Sequence, residues 1–168
     1  MKFFVTSDIH GDFMALLSGL DNAGYDLSNK NHQLIICGDL FGRAQVDPDD
    51  CIQIYKYVTS PNHKNPPIVL HGNHEDIILG IFRRNQVTYN DIYNGEHKTI
   101  ASFARMDETA GAYDPAALQA VRKNFPELEN WLKSLPYYFE TKRYIFTHGW
   151  LPTMDMANLS CFDYDTGR

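Results

Sequence analysis

Three short apolar runs, each ended by a polar turn, constrain this chain more than any other feature. They cover residues 2–6, 33–37 and 67–70, and Gly38 and Gly72 break the second and third. Runs of this length between turn residues read as strands. Between the first two, Phe13, Leu16, Leu17 and Leu20 recur at helical spacing after Asp12, and Gly24 supplies a stop. Between the next two, Asp47-Pro48-Asp49-Asp50 offers a cap, a first-turn proline and two acids at a helix start. Ile52, Ile54, Tyr55 and Val58 continue that helix. Helical patterns follow over 75–84 and 97–106, with 85–113 otherwise the least defined stretch. Asp114-Pro115 and Pro126 open two more helices, the last with Leu128, Trp131, Leu132 and Leu135 on one face. Residues 137–140 and 143–147 read as two strands paired through Thr141-Lys142. Strands alternating with helices predict an α/β fold around a largely parallel sheet. Ligands of such sheets bind beyond the carboxyl ends of the strands.

Composition sets the outer bounds. At 168 residues and 43% hydrophobic, the chain has the material for one cored domain over 1–168. No apolar run approaches the roughly 18 residues of a membrane span. The apolar start meets Thr6-Ser7-Asp8-Ile9-His10, which no signal-peptide core tolerates, so a soluble cytoplasmic protein without a membrane partner is expected. The net charge of −6 argues against a nucleic-acid scaffold as partner. It leaves room for a small anionic substrate where bound cations reverse the local field. Cys37, Cys51 and Cys161 include no CxxC pair and read as reduced packing residues.

The polar residues fall where the strand-end rule places a site. Asp8 and His10 follow the first strand, Asp39 the second, Asn73 and His74 the third, and His148 a later one. Asp8 and His10 are two apart, so an extended segment would point both the same way. Carboxylate, imidazole and amide oxygen together suit Mn, Fe or Zn, and Mg less strongly. Asp39, central in the set, is the candidate bridge between two divalent ions. Two such ions can clamp the attacking and leaving oxygens of a displacement at phosphorus. Taken singly, Asp8 or Asp39 could cap a turn and His10 could be a core histidine. The ordered set favours ligation.

Ser7-Asp8-Ile9-His10-Gly11, Gly38-Asp39-Leu40-Phe41-Gly42-Arg43 and Gly72-Asn73-His74-Glu75 resemble, in order, the three signature blocks of calcineurin-like metallophosphoesterases. The nearest likeness is to the phosphoprotein-phosphatase branch of bacterial and phage serine/threonine phosphatases. Thr147-His148-Gly149 resembles that branch's later His-Gly block. The resemblance implies a sheet sandwich flanked by helices and a dinuclear metal site. It implies that Asp8, His10 and Asp39 hold a first ion and Asp39, Asn73 and His148 a second. His74 would be the general acid, and Arg43, with Asn73, would bind the phosphate oxygens. A metal-bridging hydroxide would attack phosphorus directly. The implied function is hydrolysis of phosphomonoesters, on a phosphorylated protein or a small phosphoester. A dinucleoside-polyphosphate hydrolase, a phosphodiesterase and a catalytically weak binding module are the alternatives on the same fold.

Three departures qualify the match. Gly42 stands where the second block usually carries an acid that orients the catalytic histidine, which leaves His74 without its usual support. His71 replaces the arginine often found before the third block. No Gly-His block follows His148; the chain closes with Asp163, Tyr164 and Asp165 before Gly167 and Arg168. A C-terminally incomplete fold, a weak second metal site and a tendency to self-associate are the corresponding expectations.

Overall fold

The computed structural model describes residues 1–43 and 47–149. Cys161 and the sequence 163–165 lie outside the described residues. Three parallel strands, β1 (Lys2–Thr6), β2 (His32–Ile36) and β3 (Ile68–Val69), form a sheet in that spatial order. The register runs from Lys2 opposite His32 to Thr6 opposite Ile36, then Ile35 opposite Ile68. The crossovers carry α1 (Phe13–Ala23) and α2 (Asp50–Val58). After β3 come α3 (Asn73–Arg84), α4 (Tyr89–Tyr93), α5 (Glu96–Ala104), α6 (Glu108–Tyr113), α7 (Ala116–Asn124) and α8 (Leu128–Ser134). An antiparallel hairpin follows, β4 (Tyr138–Glu140) and β5 (Ile145–Thr147).

β2 is buried on both faces, which is why its sequence is a continuous apolar run. Phe4, Leu34 and Ile36 turn into the main core with Leu16, Leu20, Ile54, Ile78, Ile81, Phe103 and Leu132 of the helices. Ile35, Cys37 and Leu70 face the other way, onto Phe139 and Phe146 of the hairpin. Phe3 joins them, its ring 6.0 Å from that of Phe146. The α/β expectation holds: helices cover one face of the parallel sheet and the hairpin the other.

Local chemistry sets the helix ends. The Asp12 side chain accepts from the Ala15 N–H at 2.8 Å, and Gly24 closes α1. α2 begins at Asp50 rather than beside Asp47. The Asp47 carboxylate accepts from the Asp49 N–H at 2.8 Å, and its carbonyl accepts from the Asp50 N–H at 3.0 Å. Asp47 thus closes a turn on itself before the helix starts. The stretch 85–113, weakly patterned in sequence, holds α4, α5 and α6. α5 is buried nearly all round, and Phe103 packs edge-on to Phe41, Tyr55 and Phe125.

Cys37 and Cys51 are buried, as packing residues should be. Burial pushes the Cys51 thiol up to about 12. His32, His63 and His97 read in sequence as surface residues; the structure corrects this. His63 is buried, bonded to the Tyr25 hydroxyl at 3.0 Å and the Tyr57 carbonyl at 2.9 Å, and the other two are half-buried. No helix among the described residues is long and apolar enough to cross a membrane.

Candidate metal centre

The loops beyond β1 and β2 are stitched together by backbone hydrogen bonds. Asp8 N–H donates to the Gly38 carbonyl at 3.1 Å, His10 N–H to Asp39 at 3.0 Å, and Gly11 N–H to Leu40 at 2.8 Å. Asp8, His10 and Asp39 adopt left-handed backbone, with φ of 54°, 50° and 55°. Such φ values are uncommon outside glycine and concentrate at functional sites. The segment holding Asp8 and His10 is therefore not extended, as its spacing suggested. Pairing with the neighbouring loop replaces strand geometry there.

Those bends bring the polar groups together. His10 Nε2 lies 3.7 Å from Asp8 Oδ1 and 4.0 Å from Asp39 Oδ2. His148 Nε2 lies 3.4 Å from Asp39 Oδ2 and 3.0 Å from Asn73 Oδ1. Two groups of ligand atoms result, each within 4.8 Å: His10, Asp39 and His74, and Asp8, Asp39 and His148. Asp39 belongs to both. Asp8 falls geometrically with His148 as well as beside His10, whereas the resemblance placed it with His10 and Asp39, in a set without His148.

The donor set fits a cation. His148 Nδ1–H donates to the Cys37 carbonyl at 2.7 Å, and His10 Nδ1–H to the Phe41 carbonyl at 3.2 Å. Each bond fixes the tautomer that aims an Nε2 lone pair inward. Nε2 of His148 then faces Asn73 Oδ1 and Asp39 Oδ2, acceptor against acceptors. A positive ion among them satisfies all three.

A family model of the calcineurin-like phosphoesterases matches residues 1–166. The chain belongs to the calcineurin-like phosphoesterase family. A comparison with curated proteins finds no match. Membership makes this calcineurin-like phosphoesterase, in general terms, a metal-dependent hydrolase of phosphoesters.

Around the ligand atoms, its other polar groups are fixed by burial. His74 is fully buried at the start of α3, and its N–H donates to Asp39 Oδ1 at 3.0 Å. Its Nε2 lies 3.9 Å from Asp39 Oδ2 and has no hydrogen-bond partner among the described residues. Its Nδ1 is hydrogen-bonded to Glu96 Oε1, from the first turn of α5. Burial by itself lowers the His74 pKa; the Glu96 hydrogen bond and charge, with Asp39, outweigh it, so the net shift is upward. Burial also pushes the Glu96 carboxyl up, to about 7, against the pull of His74. Arg43 is exposed and near enough to oppose protonation of His74.

Two features of this phosphoesterase were poorly legible in sequence. Glu96 carried no motif. Glu75, read as a helix-start residue, also does more than cap α3. Its carboxylate accepts from Gly72 N–H at 2.8 Å and from Asp39 and Leu40 N–H, both at 2.9 Å. It thus ties the second block to the third. His71 is buried; Nε2 lies 2.8 Å from Asp76 Oδ1 and its ring packs on Tyr137, which places it in the strand-end packing.

Proposed function

We propose that this phosphoesterase hydrolyses phosphomonoesters, in the manner of serine/threonine phosphatases, with His74 as general acid. The observation that carries the reading is the His74 ring, buried, held at Nδ1 and presenting an unpartnered Nε2 3.9 Å from Asp39 Oδ2. The imidazolium so placed, one N–H held by Glu96, can give its Nε2 proton to a leaving oxygen at the edge of the ligand cluster. Asp8, His10 and Asp39 would hold one divalent ion, and Asp39, Asn73 and His148 the other. Mn, Fe and Zn suit these donors best. Bound there, the ions would supply charge to the phosphoryl oxygens and an acidified water as nucleophile. Arg43 would grip phosphate oxygens through its planar guanidinium, and Asn73 would orient them. The reading of a catalytically weak binding module rested partly on Gly42. Glu96 supplies a carboxylate to His74 by another route, which weakens that alternative.

The test is turnover with Mn present of an aryl phosphate, a phosphoserine peptide and a dinucleoside polyphosphate. Monoester hydrolysis, lost on chelation and in Asp39→Asn, is expected. Cleavage of the dinucleoside polyphosphate or of a diester in preference to both monoesters would overturn the monoester assignment. Metal binding without turnover of any of them would leave a binding module.

A further inference from the structure

The second block has no room for the acid it lacks. Gly42 has φ of +94°, and a Cβ there would lie 2.5 Å from His74 Nδ1 and 2.8 Å from Glu96 Oε1. The place beside the imidazole is already filled, by a carboxylate twenty-two residues further along the chain than His74. Glu96 is wholly buried, and a carboxylate is kept in such surroundings only when paired.

The junction of α4 with α5 and the first turn of α5 grip the second block at neighbouring points. Gly42 N–H donates to Thr99 Oγ1 at 3.0 Å. Arg43 N–H donates to the Asn94 carbonyl at 3.4 Å. A Cβ on Gly95 would lie 2.7 Å from Arg43 N, so only glycine lets the two backbones meet this closely. Phe103, further along α5, packs on Phe41 with ring centroids 5.4 Å apart. The segment 94–103 thus touches Phe41, Gly42, Arg43 and His74 from one side.

We infer that Glu96 is the positioning residue for His74, replacing from α5 the acid absent at Gly42, and that residues 94–99 hold Gly42 and Arg43 in register with it. The carboxylate fixes the ring's rotation and holds one N–H at Nδ1, so that Nε2, which carries the second proton in the acid form, faces the reacting group. The catalytic consequence rests on the proposed role of His74 as general acid. The positioning itself does not.

Two readouts separate these. In metal-free protein with 15N-labelled histidine, His74, identified by the signal lost in His74→Asn, should show a protonated Nδ1 with a strongly deshielded proton. Glu96→Ala should abolish that proton signal, and Glu96→Gln, which still accepts at Oε1, should retain it with a smaller downfield shift. If Glu96→Ala does not fold, the size of the Glu96→Gln shift decides. An unchanged His74 signal in the variants that fold overturns the inference. With metal bound, Glu96→Gln should lower kcat on an alkyl phosphate about 10–100-fold, with KM and metal content near wild type. The loss should be smaller on an aryl phosphate, whose leaving group needs less protonation. A shifted His74 signal with equal losses on both substrates supports the positioning and overturns the general-acid reading instead.

Discussion

Glu75→Ala tests how the site's loops are held together. The carboxylate is fully buried and accepts three backbone N–H groups, from Asp39, Leu40 and Gly72. Truncation leaves all three donors buried without an acceptor, at about 1–3 kcal/mol each. Even with partial relaxation, a loss of about 4 kcal/mol is expected, a large share of the roughly 5–15 kcal/mol that holds most domains. Glu75→Gln separates the donors. Its amide oxygen can take the place of Oε2, which serves Asp39 and Gly72, while the amide NH2 faces the Leu40 donor. One bond is then lost, at about 1–3 kcal/mol. Urea unfolding followed by far-ultraviolet circular dichroism measures both, on metal-free protein so that weaker ion binding does not add to the difference. The expected order is wild type, then Glu75→Gln, then Glu75→Ala. A cost below about 1 kcal/mol for Glu75→Ala, or equal costs for both variants, would refute the reasoning.

Asp39→Asn should remove ions from both ligand groups, since Asp39 is common to them; elemental analysis showing wild-type metal content would remove it as the bridge. His74→Asn should lower kcat by about 10²–10⁴ while metal content stays near wild type, and kinetics with an alkyl and an aryl phosphate should show the smaller loss on the aryl one. Gly42→Asp would restore the second block's usual acid, and from sequence that change is expected to raise activity. The structure reverses the sign, because a Cβ would stand 2.5 Å from His74 Nδ1. Both the melting temperature and the turnover should fall, and a more active variant would show that the crowding at Gly42 relaxes freely.

The parallel sheet was legible because three apolar runs and their turns are local signals. The ligand-bearing loops were legible with it, since strand ends are where such sheets place chemistry. What sequence hid was non-local. Asp47 looks like a helix cap until its carboxylate is seen bonded to Asp49, which moves the start of α2 to Asp50. His63 sits among polar neighbours yet is buried against Tyr25 and Tyr57, whose rings reach it from other turns of the chain. The left-handed backbone at Asp8 and His10 is imposed by carbonyls beyond β2, so no local pattern announces it. Glu96 is the extreme case, because its partner lies in a different helix and it stands just before the helical pattern read over 97–106. The one sequence hint was the glycine at 42, an absence that asked where the carboxylate had gone.

The stitching of the loops also sets an order in time. His10 reaches the Phe41 carbonyl across thirty-one residues, and Glu75 reaches the Asp39 N–H across thirty-six. Contacts of that sequence separation form late, after their closure entropy has been met by strand pairing. A growing chain that has presented only its first two strands therefore lacks Glu75, Asn73 and His74, and its Asp39 and Leu40 N–H groups lack the carboxylate that accepts from them. Until α5 emerges, His74 has no carboxylate at Nδ1. The site is thus a product of the finished sheet and its helices.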